Sequence, residues 1–145
     1  MKNILKLASV AVALLVASCG KNSDDNQTEN ARIVGTWKCV KREDVKDGKR
    51  INPREIKDNG CTKYVFTDKT LVHYSPREKD NKCITEEKPY RIENGRIYYK
   101  EYDDEEGKYI DNSFGFKFID DNTFEEFEDT SNGKNGVIET YKRVK

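Results

Sequence analysis

The stretch YRIENGRIYY, residues 90–99, decides the fold. Asn94-Gly95 stands between two runs that alternate apolar and polar residues, and both residues tolerate the positive φ of a two-residue hairpin turn. Tyr90 and Ile92 share one face of the first strand, as Ile97 and Tyr99 share one face of the second. The pattern continues in both directions along the chain. Thr67-Asp68-Lys69-Thr70 joins TKYVF to LVHY, Asp120-Asp121-Asn122 joins FGFKFI to TFEEFE, and SNGKNG at 131–136 leads into VIETYKRV. Counted from Gly35, this gives about eight short strands separated by turn clusters, the pattern of an all-β sandwich or barrel. Because the strands follow one another as neighbours, the expected topology is an antiparallel up-and-down meander. Closing it into a barrel removes the two free edges that would invite aggregation.

Alternation also supplies the expected core. Phe114, Phe116 and Phe118 share a face; so do Tyr64 and Phe66, and Trp37 and Cys39. The charged residues Lys38, Arg42, Arg91, Lys100 and Lys117 read as the wet outer face. Asn52-Pro53-Arg54-Glu55 and Ser75-Pro76-Arg77-Glu78 each combine a capping residue, proline and glutamate in helix-start order. They predict two short helical turns at one end of the barrel, the first stopped by Gly60.

Val34-Gly35-Thr36-Trp37 resembles the Gly-x-Trp signature that opens lipocalin barrels. The body from Ile33 to Lys145 is similar to the lipocalin-like domain of small bacterial lipoproteins, through IVGTWKCVK, the paired cysteines and the closing ETYKRV. Arg143 is the candidate for the arginine that covers the tryptophan in that family; its acidic-plus-basic loop motif has no clear counterpart. The resemblance implies a container for a small apolar or amphipathic molecule, touched by Trp37, Tyr64, Phe66, Tyr99, Phe116, Phe118 and Tyr141. The same residues suit a filled core, since a barrel of about eight strands can be packed by its own side chains. In that case the protein acts through its surface, as an inhibitor, accessory subunit or host-facing antigen.

The chain begins with Lys2 and Lys6 flanking an apolar segment, Ile4 to Val16, too short to span a bilayer, which takes about 20 residues. Val16-Ala17-Ser18-Cys19 resembles the bacterial lipoprotein box. It implies a signal peptide over residues 1–18, acylation of Cys19 with palmitate-type chains, and a membrane partner held through that anchor. Residues 19–32 then form a flexible tether, of which GKNSDDNQTEN carries no apolar side chain. Ser23-Asp24-Asp25 resembles the acidic export tag of some Gram-negative surface lipoproteins. The expected address is the outer membrane, at the cell surface or on its inner leaflet. The 145 residues suffice for one domain at 33–145. Removing residues 1–18 leaves 25 basic against 27 acidic side chains, a net charge of −2, so no nucleic-acid partner is expected.

Beyond Cys19, three cysteines remain, each 22 residues from the next. An oxidising compartment favours a disulfide. In a meander the strand after Cys61 leaves one end, the next returns to it, and Cys83 lies in the loop there. Cys61–Cys83 is therefore the expected bond, with Cys39 a buried free thiol. Zinc is disfavoured by the lack of any Cys-x-x-Cys pair. His73, the single histidine, has no nucleophile motif beside it and reads as a barrel-wall residue. No phosphate loop, GxGxxG or GxSxG occurs, and Asp103-Asp104-Glu105-Glu106-Gly107 reads as a charged hairpin tip rather than a calcium loop. A non-enzymatic protein without a cofactor is expected.

Overall fold

The computed structural model describes residues 29–57, 60–77, 79–80, 82–129 and 134–145. The expected leader, Cys19, the Ser23-Asp24-Asp25 tag and most of the tether lie outside the described residues. Among those residues no helix is long and apolar enough to cross a membrane.

Among the described residues nine antiparallel strands form one sheet: β1 (Gly35–Lys46), β2 (Lys49–Glu55), β3 (Lys63–Phe66), β4 (Thr70–Pro76), β5 (Cys83–Glu93), β6 (Arg96–Asp103), β7 (Lys108–Asp120), β8 (Thr123–Asp129) and β9 (Gly136–Arg143). Successive strands from β3 to β9 are neighbours, and β1 pairs with β9, so the meander closes. The barrel has eight positions because β2 and β3 share one. β3 lies against the first part of β1 (Gly35↔Phe66), and β2 against the rest (Lys41↔Glu55). The hydrogen bonds Ile56 N to Val40 O and Cys39 N to Thr62 O bridge the break between them. The expected hairpin is present, with Asn94 and Gly95 at φ 52° and 69°.

The two predicted helical turns are not formed. Asn52–Glu55 belongs to β2, where Ile51 faces Asp44 and Arg54 faces Arg42, so two residues of β2 oppose one of β1. Asn52-Pro53 is thus a bulge, with Asn52 at φ 51°. Proline is tolerated there because a bulge needs no ladder donor from it. Asp44 fastens both sides, accepting from Asn52 Nδ2 at 3.3 Å and Arg54 Nη2 at 2.9 Å. At the second place Ser75 and Pro76 finish β4, pairing with Ile84 and Cys83. The loop beyond is closed by Arg77 N on Lys82 O and by the Arg77–Asp80 ion pair. Glu78 lies outside the described residues. Pairing with a neighbouring strand supplies a bond for most residues, whereas an isolated turn satisfies few, so the local helix-start signal loses. Gly60 adopts φ 75° but ends no helix.

A helical turn at 29–33 precedes β1, so the ordered body starts inside the segment expected to be tether. Ile33 is fully buried, and its carbonyl accepts the Trp37 indole N–H at 2.6 Å. Trp37 meets Phe124 edge-on at 4.9 Å and Phe118 at 6.1 Å. The Arg143 guanidinium covers its other side at 4.1 Å and donates to the Val34 and Arg32 carbonyls. Gly35, at φ 135°, makes room: a Cβ there would stand 2.5 Å from Arg143 Nη1. This cluster plugs one end of the barrel.

Cys61 and Cys83 form the expected disulfide. It ties the loop after β2 to the start of β5 and restricts the unfolded chain by roughly 3 kcal/mol. Among the described residues Cys39 is the free cysteine, buried, its thiol pushed up to about 12 by burial and by Glu139. Asp103 organises the β6–β7 tip, its Oδ1 accepting from Glu105 N and Glu106 N.

Candidate functional site

Each inward-facing row changes character along the barrel. At the plugged end it presents Trp37, Phe66, Leu71, Ile92, Ile97 and Phe124, all buried. Toward the other end the inward-facing residues are Arg42, His73, Lys88, Glu101, Asn112, Glu126 and Glu139. These side chains line two adjoining openings, one of about 240 Å³ reaching from Leu71 to Glu128 and one of about 380 Å³ opening past Ile56, Thr62 and Pro76. Tyr64, His73, Glu126 and Glu128 belong to both. The floor is aromatic: Tyr64 stacks on Phe114 at 5.7 Å and on Tyr141 at 5.0 Å.

Of the seven aromatics expected to touch a ligand, Tyr64, Tyr99 and Tyr141 line this cavity. Trp37, Phe66, Phe116 and Phe118 sit in the packed end instead. There Phe116 and Phe118 meet edge-on at 5.6 Å, Phe118 packs on Trp37 at 6.1 Å, and Phe66 lies against Tyr90 at 5.3 Å.

Arg42 was expected on the wet face and is found lining the cavity. The cause is a bulge in β1: Cys39 faces Tyr141 and Lys41 faces Thr140, leaving Val40 unpaired against β9. One extra residue flips every later side chain to the opposite face. Arg42 then reaches Glu139, Nη1 to Oε1 at 3.2 Å, while Lys41 and Glu43 turn outward. Outside, Arg50 donates two hydrogen bonds to Glu125, at 2.7 and 2.8 Å, and holds its carboxyl below the usual carboxylate range.

Glu126 is the residue that sequence reasoning missed. On β8, Phe124 and Glu126 face inward, while Phe127 packs outside over the gap left by Gly115. Glu126 Oε1 accepts from the Tyr64 hydroxyl at 3.3 Å, but its Oε2, fully buried, has no hydrogen-bond partner. Burial and the nearby Glu139 carboxylate push its pKa up to about 8. Glu139 itself accepts from the Tyr141 hydroxyl at 2.7 Å. Lys88 is held between Glu86 and Glu101 at 2.8 and 3.2 Å, and Glu101 also accepts from Asn112 at 2.8 Å. His73 lies 4.8 Å from the Tyr64 ring, with its pKa lowered by burial and by Lys88.

No protein-family model matches the chain, and no curated protein matches it. Among solved structures it is similar to a lipocalin-like protein from Bacteroides uniformis, at 11% identity and a TM-score of 0.52, over 78% of this chain and 99% of that one. The fold is lipocalin-like. An uncharacterized protein from Bacteroides eggerthii aligns over 77% of this chain and 98% of its own, with 12% identity and a TM-score of 0.49. The lipocalin-like barrel agrees with the opening Gly-x-Trp segment, and Arg143 does cover Trp37 as the resemblance implied.

Proposed function

We propose that this lipocalin-like protein is a non-enzymatic, lipid-anchored binding protein whose half-open barrel takes up a small amphipathic molecule. The observation that carries the reading is the cavity itself, aromatic at its floor and polar at its mouth, beside a plugged half that leaves no such room. A wholly apolar ligand suits it poorly, because it would cover the polar mouth and offer no donor to the buried Glu126 carboxyl. The anchor rests on the sequence resemblance at Cys19. Palmitate is expected to label the wild-type protein in its own cells and not Cys19→Ser; equal labelling of the two would remove the anchor.

Native mass spectrometry of protein purified from those cells tests the cavity. A small molecule is expected to travel with the wild type and to be lost in Tyr64→Trp, which fills the space between the openings. A clean apo mass alongside a co-purifying protein would favour the second reading, a scaffold acting through its surface. One feature supports that reading: exposed Tyr102 and Tyr109 meet edge-on at 5.2 Å beside Pro89 and Lys100, walling an outer groove of about 440 Å³.

A further inference from the structure

The charges around the cavity do not balance locally. Lys88 is engaged by Glu86 and Glu101, Arg42 by Glu139, and Arg96, which lines an opening with Glu126 and Glu128, is bonded to Ser113. That leaves Glu126 Oε2 buried without a partner, and Glu128, at the mouth on the same strand, without an ion pair to any described residue. A buried carboxyl oxygen lacking a donor is costly, and native structures place few such atoms without a use for them. Tyr64, Tyr99 and Phe114 border the same opening, and the Tyr99 ring already takes a cation, the Lys88 ammonium, at 4.9 Å. An anion would meet the Glu128 and Glu139 carboxylates and be repelled.

We propose that the cavity is a site for a small organic cation, a primary ammonium on a compact apolar body, which donates to Glu126 Oε2 and Glu128 while its body lies against Tyr64, Tyr99 and Phe114. The proposal rests on the reading of the barrel as a container and names the ligand class. The ammonium supplies the missing donor, and the apolar body covers the aromatic floor.

Binding of a cation requires Glu126 to give up its proton. The groups facing it are Tyr64 from β3, His73 from β4, Lys88 from β5, and Arg96, Tyr99 and Glu101 from β6. Glu128 is on its own strand, Tyr141 and Glu139 come from β9, and Arg42 and Cys39 come from β1. His73 is held below its ordinary value by burial and by Lys88, so Glu126 is the group that titrates as pH rises toward 8. Affinity for the cation therefore climbs by about 25-fold between roughly pH 6.5 and pH 8.5.

The probes are 2-phenylethylammonium, 2-phenylethanol and phenylacetate, followed by titration calorimetry on the purified protein. The ammonium is expected to bind about tenfold or more tightly than the alcohol, consistent with a charge-assisted bond, and phenylacetate not at all. Glu126→Gln should cost the ammonium about tenfold and flatten its pH dependence, while an unchanged circular dichroism spectrum certifies the fold. Glu128→Gln should produce a smaller loss. Equal binding of alcohol or phenylacetate, or an unaltered pH profile in Glu126→Gln, overturns the cation site and leaves the container intact. Silence from all three probes also overturns the cation site, and the container then stands or falls on the mass-spectrometric result.

Discussion

Trp37→Ala lowers the unfolding free energy by about 4 kcal/mol and the melting temperature by roughly 20 °C. Trp37 is completely buried, and its ring is enclosed by Phe124, Phe118 and the Arg143 guanidinium. Truncation opens a void that the surroundings cannot fill, because Phe124 is itself held parallel to Tyr141 at 4.9 Å. It also strips the Ile33 carbonyl of its donor and leaves Arg143 over empty space. The control is Tyr102→Ala, half exposed on the outer face, which should shift stability by no more than about 0.5 kcal/mol. Thermal unfolding followed by circular dichroism makes the comparison. A Trp37→Ala protein melting within about 5 °C of wild type would mean that the plugged end does not hold the barrel together.

Glu126→Gln produces the second large effect, visible only as a function of pH. The folded carboxyl titrates near 8 against an ordinary value of 4.5. Between those values the folded protein keeps a proton that the unfolded chain releases. The resulting stabilisation is complete below about pH 4.5, falls by about 1.4 kcal/mol per unit as pH rises, and is gone above about 8. The whole span amounts to at most roughly 5 kcal/mol. Glutamine cannot ionise, so the variant escapes this decline and should outlast wild type at about pH 8.5, with the gap closing toward pH 5. His73 acts in the opposite sense, adding stability as pH rises through its titration, because its folded value is depressed. Both proteins share that contribution, so the difference between them isolates Glu126. Denaturant melts at three pH values supply the measurement, and parallel profiles would falsify the buried, orphaned state of the carboxyl.

Much of the barrel is legible in the sequence because period-two alternation and turn chemistry act over a few residues. Asn94-Gly95 sets a register by itself, and Phe114, Phe116 and Phe118 declare a buried face without help from elsewhere. Closure was readable only indirectly, from the need to cover two edges. The errors fall where one residue is added to a strand. Nothing local marks Val40 as the point where β1 slips against β9, yet that slip carries Arg42 from solvent into the cavity. Asn52-Pro53-Arg54-Glu55 carries a genuine helix-start pattern, overridden by a partner strand that is distant information. Glu126 left a faint trace in TFEEFE. Phe124 and Phe127 are three apart, so a strand cannot bury both on one face, and choosing Phe124 sends Glu126 inward with it. The missing clue was Gly115, which gives Phe127 its seat outside.

The helical turn at 29–33 docks against the stoppered base, with Arg32 stacked on Phe118 at 4.1 Å and paired to Asp121 in the β7–β8 turn. Whatever holds this chain by its N-terminus consequently grips the vessel from beneath. If that hold is the acylation expected at Cys19, the anchor joins the barrel at its stoppered base and the brim lies at the far end from it. Solutes would then reach Glu126 through the end opposite the anchor, which suits a scavenger of dissolved molecules better than an extractor of lipids.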